Sequence, residues 1–310
     1  MKRSLLLISI LIAGLGASVA LAHVMDARSL AAQNQSDDEK LYVSGPTAKR
    51  LALGFNGLAS DWYWMRSLQY VGRKIVHFED THDAHVSFSA LGDLDLGLLA
   101  SLLKASTTLD PQFMAPYQYG AMILPEINSD QAIDLLNSGI AANPNEWRLY
   151  QHLGYVYWQR HDYQKASELY TAGGKLAGAP PWMLAMGAHM KAEGGSRNSG
   201  REMYQHLYDS SNDKAVQDMV EKQMMRLDSL DEREIIRHVI SVYKEKKGRC
   251  PASWREISGQ LSEARMTTTP NSIRALRMDA TGAPLDPSAV PYWLEDCDVD
   301  LGKETQVPRK

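Results

Sequence analysis

Two apolar patterns of helical period, split by a short interruption, occupy Glu146 to Tyr170 and limit what this chain can fold into. Tyr150, Leu153, Gly154 and Tyr157 share one face of a first helix. After His161-Asp162 the same period resumes at Tyr163, Ala166 and Tyr170. Asn143-Pro144 closes the preceding segment, Asn145 is placed to cap the next, and Gly173-Gly174 loosens the far end. The small residues Gly154 and Ala166 fall where the two helices would cross, so their backbones can approach and larger neighbours fill the gap. Tyr150, Tyr157, Tyr163 and Tyr170 are therefore expected in the core. Arg148, Gln151, Tyr155, Trp158 and Gln159 fall on the other face of the first helix.

The flanking segments repeat this design. Pro111 and Pro144 stand about 33 residues apart, close to a repeat length. Between them Tyr117, Gly120, Ala121 and Leu124 mark one helix, and Ala132, Leu136 and Gly139 a second, with one residue missing at the turn. Upstream, Ser60 to Gly72 is expected as a first helix and the run ending at Pro111 as its partner. Downstream, "PPWMLAMGAHMKAEGG" and "SRNSGREMYQHLYD" form a degenerate pair, with Gly200 and Tyr204 at the small and aromatic positions. Two longer helices, Lys214 to Leu227 and Asp231 to Lys247, are expected to cap the array.

The Glu146–Tyr170 stretch resembles a tetratricopeptide repeat. In that family an aromatic, Leu-Gly and Tyr in one helix precede a small residue and an aromatic in the next. Tyr150, Leu153, Gly154, Tyr157, Tyr163, Ala166 and Tyr170 match in order and spacing. The chain departs from the pattern at His161, where Gly is usual, and at Gly178, where a closing Pro would stand. The resemblance implies a solenoid of helical hairpins whose first helices line a partner-binding groove. Arg148, Gln151, Tyr155, Trp158 and Gln159 become the groove residues, with Trp158 as anchor and the polar side chains as adjustable contacts. A covering neighbour over Trp158 is the competing expectation.

A second segment, Val76 to Val86, gathers His77, Glu79, Asp80, His82, Asp83 and His85. Such side chains can hold a metal, and His82 and His85 could chelate if locally helical. No helical H-x-x-x-H pair is present, and the favoured reading is a polar loop within the first repeat, with His77, His82 and His85 as minor metal candidates. No nucleophile elbow, phosphate loop or zinc-protease motif occurs. A non-enzymatic chain with no cofactor is the expectation.

From Gly248 the texture changes. "GRCPASWREI" gives a turn and a short helix with Trp254 and Ile257 inward, and Gly and Pro turns surround one short strand, "PYWLE". This tail loosely resembles the globular end of type II secretion pseudopilins, through Pro251, Asp286, Pro287, Pro291 and Tyr292, with Cys250 replacing an aromatic. The resemblance implies a small packing module. Cys250 and Cys297 are the only cysteines. In an exported chain an even pair invites a disulfide, and the resemblance favours it. Two unrelated thiols are the alternative.

Export is read from the N-terminus. Lys2 and Arg3 precede an apolar run from Leu5 to Ala22 that closes on Ala20-Leu21-Ala22. Cleavage before His23 or retention as an inner-membrane anchor through residues 4–22 both carry the remaining chain across the membrane. The net charge of −4 lacks the basic excess of a nucleic-acid binder.

The fold class expected is all-α: a TPR-like helical-hairpin solenoid with a small mixed C-terminal module. Its domains are 1–22 as signal peptide or anchor, 23–40 as flexible spacer, 41–247 as repeat domain and 248–310 as the module with a polar tail. The expected function is an exported scaffold, periplasmic or anchored facing the periplasm, that holds a protein or peptide in envelope assembly or secretion. The alternative is a helical-repeat domain of an envelope enzyme or metal-binding protein using the His77–His85 segment.

Non-reducing peptide mass spectrometry of envelope material should yield one cross-linked peptide joining Cys250 and Cys297. Its closure restricts the unfolded tail by about 4 kcal/mol on the chain-entropy model. Two free thiols would refute it.

Overall fold

The computed structural model describes Gly16 and residues 43–82, 85–86, 88–269 and 272–309. The export-signal and spacer readings, and the start of structure at Leu41, lie outside those residues, as does Asp83. The described chain is mostly helical, with neighbouring helices packed on one another, and falls into two compact units.

The first unit comprises residues 43–86 and 94–110. Helix α1 (Gly45–Leu51) and helix α2 (Asn56–His82) both pack on α3 (Leu99–Leu109). Small groups permit the close approach. A Cβ on Gly45 would meet Thr108 at 2.8 Å. Ser60 Oγ donates to the Ser106 carbonyl at 2.9 Å, and Ser106 Oγ donates to the Ser60 carbonyl at 3.1 Å. These reciprocal bonds satisfy two buried hydroxyls that would otherwise cost stability. The α2 helix outruns the expected Ser60–Gly72 at both ends. Val76 to His82 is helix, which corrects the loop expected over Val76–Val86. Polarity there marks a solvated helix face, and no proline interrupts it.

The second unit comprises residues 88–93 and 111–309. A 3-10 turn (Phe88–Asp93) packs near α4 (Met114–Ile127). Then α4 pairs with α5 (Ser129–Ala142), α6 (Trp147–Gln159) with α7 (Tyr163–Gly174), and α8 (Trp182–Glu193) with α9 (Arg197–Ser210). Short connections fold each pair back on itself. Successive pairs also touch, α5 against α6 and α7 against α8, which makes a solenoid-like array. Caps set the boundaries: Asn128 Oδ1 accepts from the Asp130 and Gln131 amides, and Asp162 Oδ1 from the Lys165 amide. Glu146, rather than Asn145, caps α6.

The turn after α6 uses a left-handed residue. His161 has φ +59°, and the Asp162 amide bonds back to the Tyr157 carbonyl at 2.9 Å. The turn after α8 has the same form one repeat later, with Gly195 at φ +87° and the Ser196 amide bonded to the Lys191 carbonyl. His161 thus occupies a glycine conformation with a β-carbon.

The core of the central pair is rotated from expectation. Leu149, Leu153, Gly154 and Val156 are the buried residues of α6, and Ala166, Ser167, Tyr170 and Gly173 those of α7. Tyr150, Tyr157 and Tyr163 are only half-buried. They pack at the rim, where Tyr150 Oη donates to the Pro144 carbonyl at 3.0 Å. A phenol keeps its polar end in reach of a partner and so favours the edge. Tyr170 is the ring that enters the crossing: a Cβ on Gly154 would lie 3.0 Å from it.

The expected pair Lys214–Leu227 and Asp231–Lys247 is a single helix, α10 (Lys214–Lys247). Val216, Val220 and Leu227 pack with Ala185, Ala188, Tyr204 and Leu207 of α8 and α9. Ile236, Ile240 and Tyr243 pack with Ile257, Leu261, Tyr292 and Val299 of the tail. From Leu227 to Ile236 is nine residues, about two and a half turns, which leaves the second stripe half a rotation from the first. The buried stripe therefore changes sides without a break in the chain, and that phase jump mimics a turn. No Gly or Pro occurs at the join. Gly248, at φ +69°, ends the helix.

Beyond it lie a 3-10 turn (Trp254–Glu256) and α11 (Ser258–Glu263), then three antiparallel two-stranded ribbons. They are β1 (Arg265–Thr269) with β2 (Ser272–Ala275), β3 (Arg277–Met278) with β4 (Pro284–Leu285), and β5 (Trp293–Glu295) with β6 (Asp298–Asp300). One strand was expected and six are present among the described residues, four of them only two or three residues long, which leaves too little alternation to read. Ile257 is buried as expected, and Trp254 is half-buried with Nε1 donating to the Tyr292 carbonyl. Buried Asp286 organises the Asp-Pro loop by accepting from the Ser288 and Val290 amides. The β5–β6 turn carries Asp296 and Cys297, both at positive φ. Cys250 and Cys297 lie at disulfide distance, with Cα atoms 5.3 Å apart.

His161→Gly should raise unfolding stability by about 1 kcal/mol by relieving the left-handed β-carbon. Ala166→Leu, at a fully buried crossing, should lower it by about 1–3 kcal/mol. Urea denaturation of both variants checks the two signs together.

Candidate functional site

The exposed face of α6 is built by the geometry of its buried one. Leu149, Leu153 and Val156 turn inward, so Arg148, Gln151, Tyr155, Trp158 and Gln159 are carried to the other side. Tyr155 remains 43% exposed and Trp158 41%. Their ring centroids are 5.4 Å apart at a tilt of 41°. Gln159 Nε2 donates to Tyr155 Oη at 3.4 Å and to Glu126 Oε1 of α4 at 3.3 Å. The neighbouring helix adds exposed Met122. The result is an aromatic pair on α6 joined through Gln159 to the Glu126 carboxylate of α4, with Met122 exposed about one turn before Glu126. It can bury apolar side chains and offer adjustable hydrogen bonds to a peptide.

The five residues read from the sequence do not all converge. Tyr155, Trp158 and Gln159 form one group. Gln151 is half-buried beside it. Arg148 turns toward the start of the helix, where Nη1 bonds Glu146 Oε1 at 3.1 Å and the guanidinium lies 4.6 Å from the Trp147 ring centroid. Burial, with the Arg148 charge adding to it, holds His152 below the ordinary histidine pKa and so neutral near pH 7. Sequence reasoning missed Met122 and Glu126. Their apolar and acidic character carries no period of its own, and only the packing of α4 against α6 brings them to the surface. It also missed an edge-to-face pair, Trp147 with Trp182, whose centroids are 6.1 Å apart.

The histidine segment is arranged differently from a chelate. His82 Nδ1 lies 3.0 Å from the Phe78 carbonyl, and its ring stacks on Phe78 at 4.2 Å. His85 Nδ1 lies 3.3 Å from Glu79 Oε1, beyond the helix end. His77 is exposed on α2. Among the described residues no group of three or more His, Cys, Asp or Glu side chains is gathered to hold a metal.

A buried polar cluster sits where α10 changes its buried face. Glu232, 1% exposed, accepts from Tyr292 Oη at 2.7 Å and from Arg274 Nη2 at 2.6 Å. Arg274 also pairs with Asp228, which pairs with buried Arg201. Burial raises the Glu232 carboxyl to about 6, outweighing the Tyr292 hydrogen bond and the Arg274 charge, which lower it. These pairs tie α10 to α9 and to the tail, and Arg274 Nε is left buried with no hydrogen-bond partner among the described residues.

No family model matches this chain, and no curated protein matches it.

Between about pH 4.5 and 6 the folded chain holds a proton on Glu232 that the unfolded chain has released. Its share of stability, about 2 kcal/mol, is present below that window and lost as pH rises through it. Glu232→Gln should flatten this part of the stability profile in urea titrations at pH 4.5 and 7. An unchanged slope would contradict the assignment.

Proposed function

We propose that this chain is an exported tetratricopeptide-type scaffold that holds a protein or peptide partner in the cell envelope, within assembly or secretion machinery. The observation that carries the reading is the exposed Tyr155–Trp158 pair. It lies on the face of α6 opposite a well-filled core, in a helical-pair array, and is continued by Met122 and Glu126 of the neighbouring helix. A large aromatic pair left in water at the centre of a rigid array supplies contact area at little ordering cost.

The repeat identity draws support from two features. The turns at His161 and Gly195 recur with one geometry, and the Gly154, Ala166 and Tyr170 crossing gives the family pattern a packing reason. The ribbons after α10 form a small mixed module that closes the array, with Tyr292, Val299 and Leu301 covering the second half of that helix. The disulfide-distance cysteines are compatible with an oxidising envelope compartment. Among the described residues no helix is long and apolar enough to cross a membrane.

A photo-crosslinking residue placed at Gln151, beside the aromatic pair, should capture a discrete envelope partner in living cells. Trp158→Ala should weaken that partner's affinity by about 2 kcal/mol or more with an unchanged helical signal. Leu153→Ala should instead destabilise the fold by about 2–5 kcal/mol. If Trp158→Ala melts the protein as Leu153→Ala does while partner affinity holds at low temperature, the groove assignment fails.

A further inference from the structure

The first unit leaves an apolar face uncovered. On α2, Ser60, Tyr63, Ser67 and Tyr70 are buried, whereas Leu58, Trp62 and Met65 lie on the opposite side and are exposed. Leu58 is 71% exposed and Trp62 50%. Their spacing of four and three places them on one stripe. Just before it, Leu51, Leu53 and Phe55 are exposed as well, Leu53 at 85%. Packing of this unit uses the other face of α2, so folding does not account for the stripe. Such a run of Leu, Phe, Trp and Met is far from the scattered single apolar residues of an ordinary surface.

The charge along this segment is mostly positive, although Lys74 is paired with Asp95 at 3.4 Å. Between Gly45 and Lys74 the cations are Lys49, Arg50, Arg66, Arg73 and Lys74, and the acid is Asp61 alone. The whole chain is net negative, at −4. Lys49, Arg50 and Arg73 are exposed, and the Arg66 guanidinium lies 5.6 Å from the Trp62 ring centroid. Apolar side chains with a Trp and flanking cations are the composition of a helix lying in a membrane interface. The position agrees: in the sequence a short polar segment, His23 to Lys40, separates this unit from the apolar run Leu5–Ala22.

We infer that the Leu51–Met65 face docks on an anionic phospholipid bilayer, with Leu53, Phe55, Leu58, Trp62 and Met65 entering the headgroup boundary and Lys49 and Arg50 meeting lipid phosphates. A lipid surface is favoured over a protein because it needs no matching shape and rewards this excess of positive charge.

The test uses the full chain with vesicles of phosphatidylcholine, with and without about one-third phosphatidylglycerol, brominated in the upper acyl chain. The first tryptophan of the chain is Trp62, so quenching reports on residues from Trp62 onward. Expected is tryptophan quenching that depends on phosphatidylglycerol, weakens with salt and is mostly lost in Trp62→Phe. Lys49→Gln with Arg50→Gln should weaken binding to the anionic vesicles about tenfold or more. All of these positions are surface side chains, and circular dichroism verifies that the variants fold. Quenching that is absent, or unchanged in Trp62→Phe, overturns the inference. So does a Trp62 already shielded from acrylamide without lipid. Sedimentation then assigns the cover, a monomer to the chain's own N-terminal segment and a dimer to a second copy.

Discussion

One unbroken helix that must be buried on opposite sides in its two halves governs the second unit. The first half of α10 closes the helical pairs through Val216, Val220 and Leu227, and the second half founds the tail through Ile236, Ile240 and Tyr243. At the changeover neither side can be purely apolar, because each face passes from core to surface within three turns. Charged groups fill the interval. Arg201 reaches Asp228 and Asp231, Arg197 reaches Asp231 and Glu234, and Arg274 reaches Asp228 and Glu232. Only Arg201 and Glu232 among these groups are buried, and ion pairs taken out of water add little net stability once desolvation is counted. Their directionality does more, since each pair fits one rotation of α10 against α9 and the β1–β2 ribbon.

The helical pairs before α10 rest on a simpler device. Small residues at the crossings let a neighbour fill the space a side chain would occupy, a ring at two of them, as Tyr170 does over Gly154 and Tyr117 over Gly139. Close packing on one side of each first helix leaves the other side free of structural duty. Tyr155 and Trp158 are on that free side. The same logic applies to α2, where Ser60 and Ser106 draw the helices together and leave Leu58 and Trp62 outside. In both cases the apolar surface in water follows from how completely the opposite face is satisfied.

Much of this was legible in the chain itself, and the failures have physical causes. The central pair could be placed because Gly154 and Ala166 recur at helical spacing against large neighbours. The stripe of α10 was legible residue by residue, yet its continuity was lost, since a half-rotation of the buried face looks like a turn. The polar run from Val76 looked like a loop because solvated helices and loops share a composition. The ribbons of the tail escaped because their strands are too short to alternate. In the candidate groove, Tyr155, Trp158 and Gln159 could be assigned by subtraction from the core. Arg148 kept the right face but turned back to Glu146 and Trp147, which spacing alone does not encode.

By itself the sequence determined the helical period, the crossings at small residues, the turn at His161-Asp162 and the candidate cysteine pair, because these depend on neighbours a few residues apart or on residue type alone. Only tertiary structure decided which tyrosines enter the core, where Glu126 meets Gln159, and that α10 serves two cores at once. Those outcomes depend on which face each helix turns to a partner distant in sequence. Helical periodicity defines faces, but it does not say what lies against them.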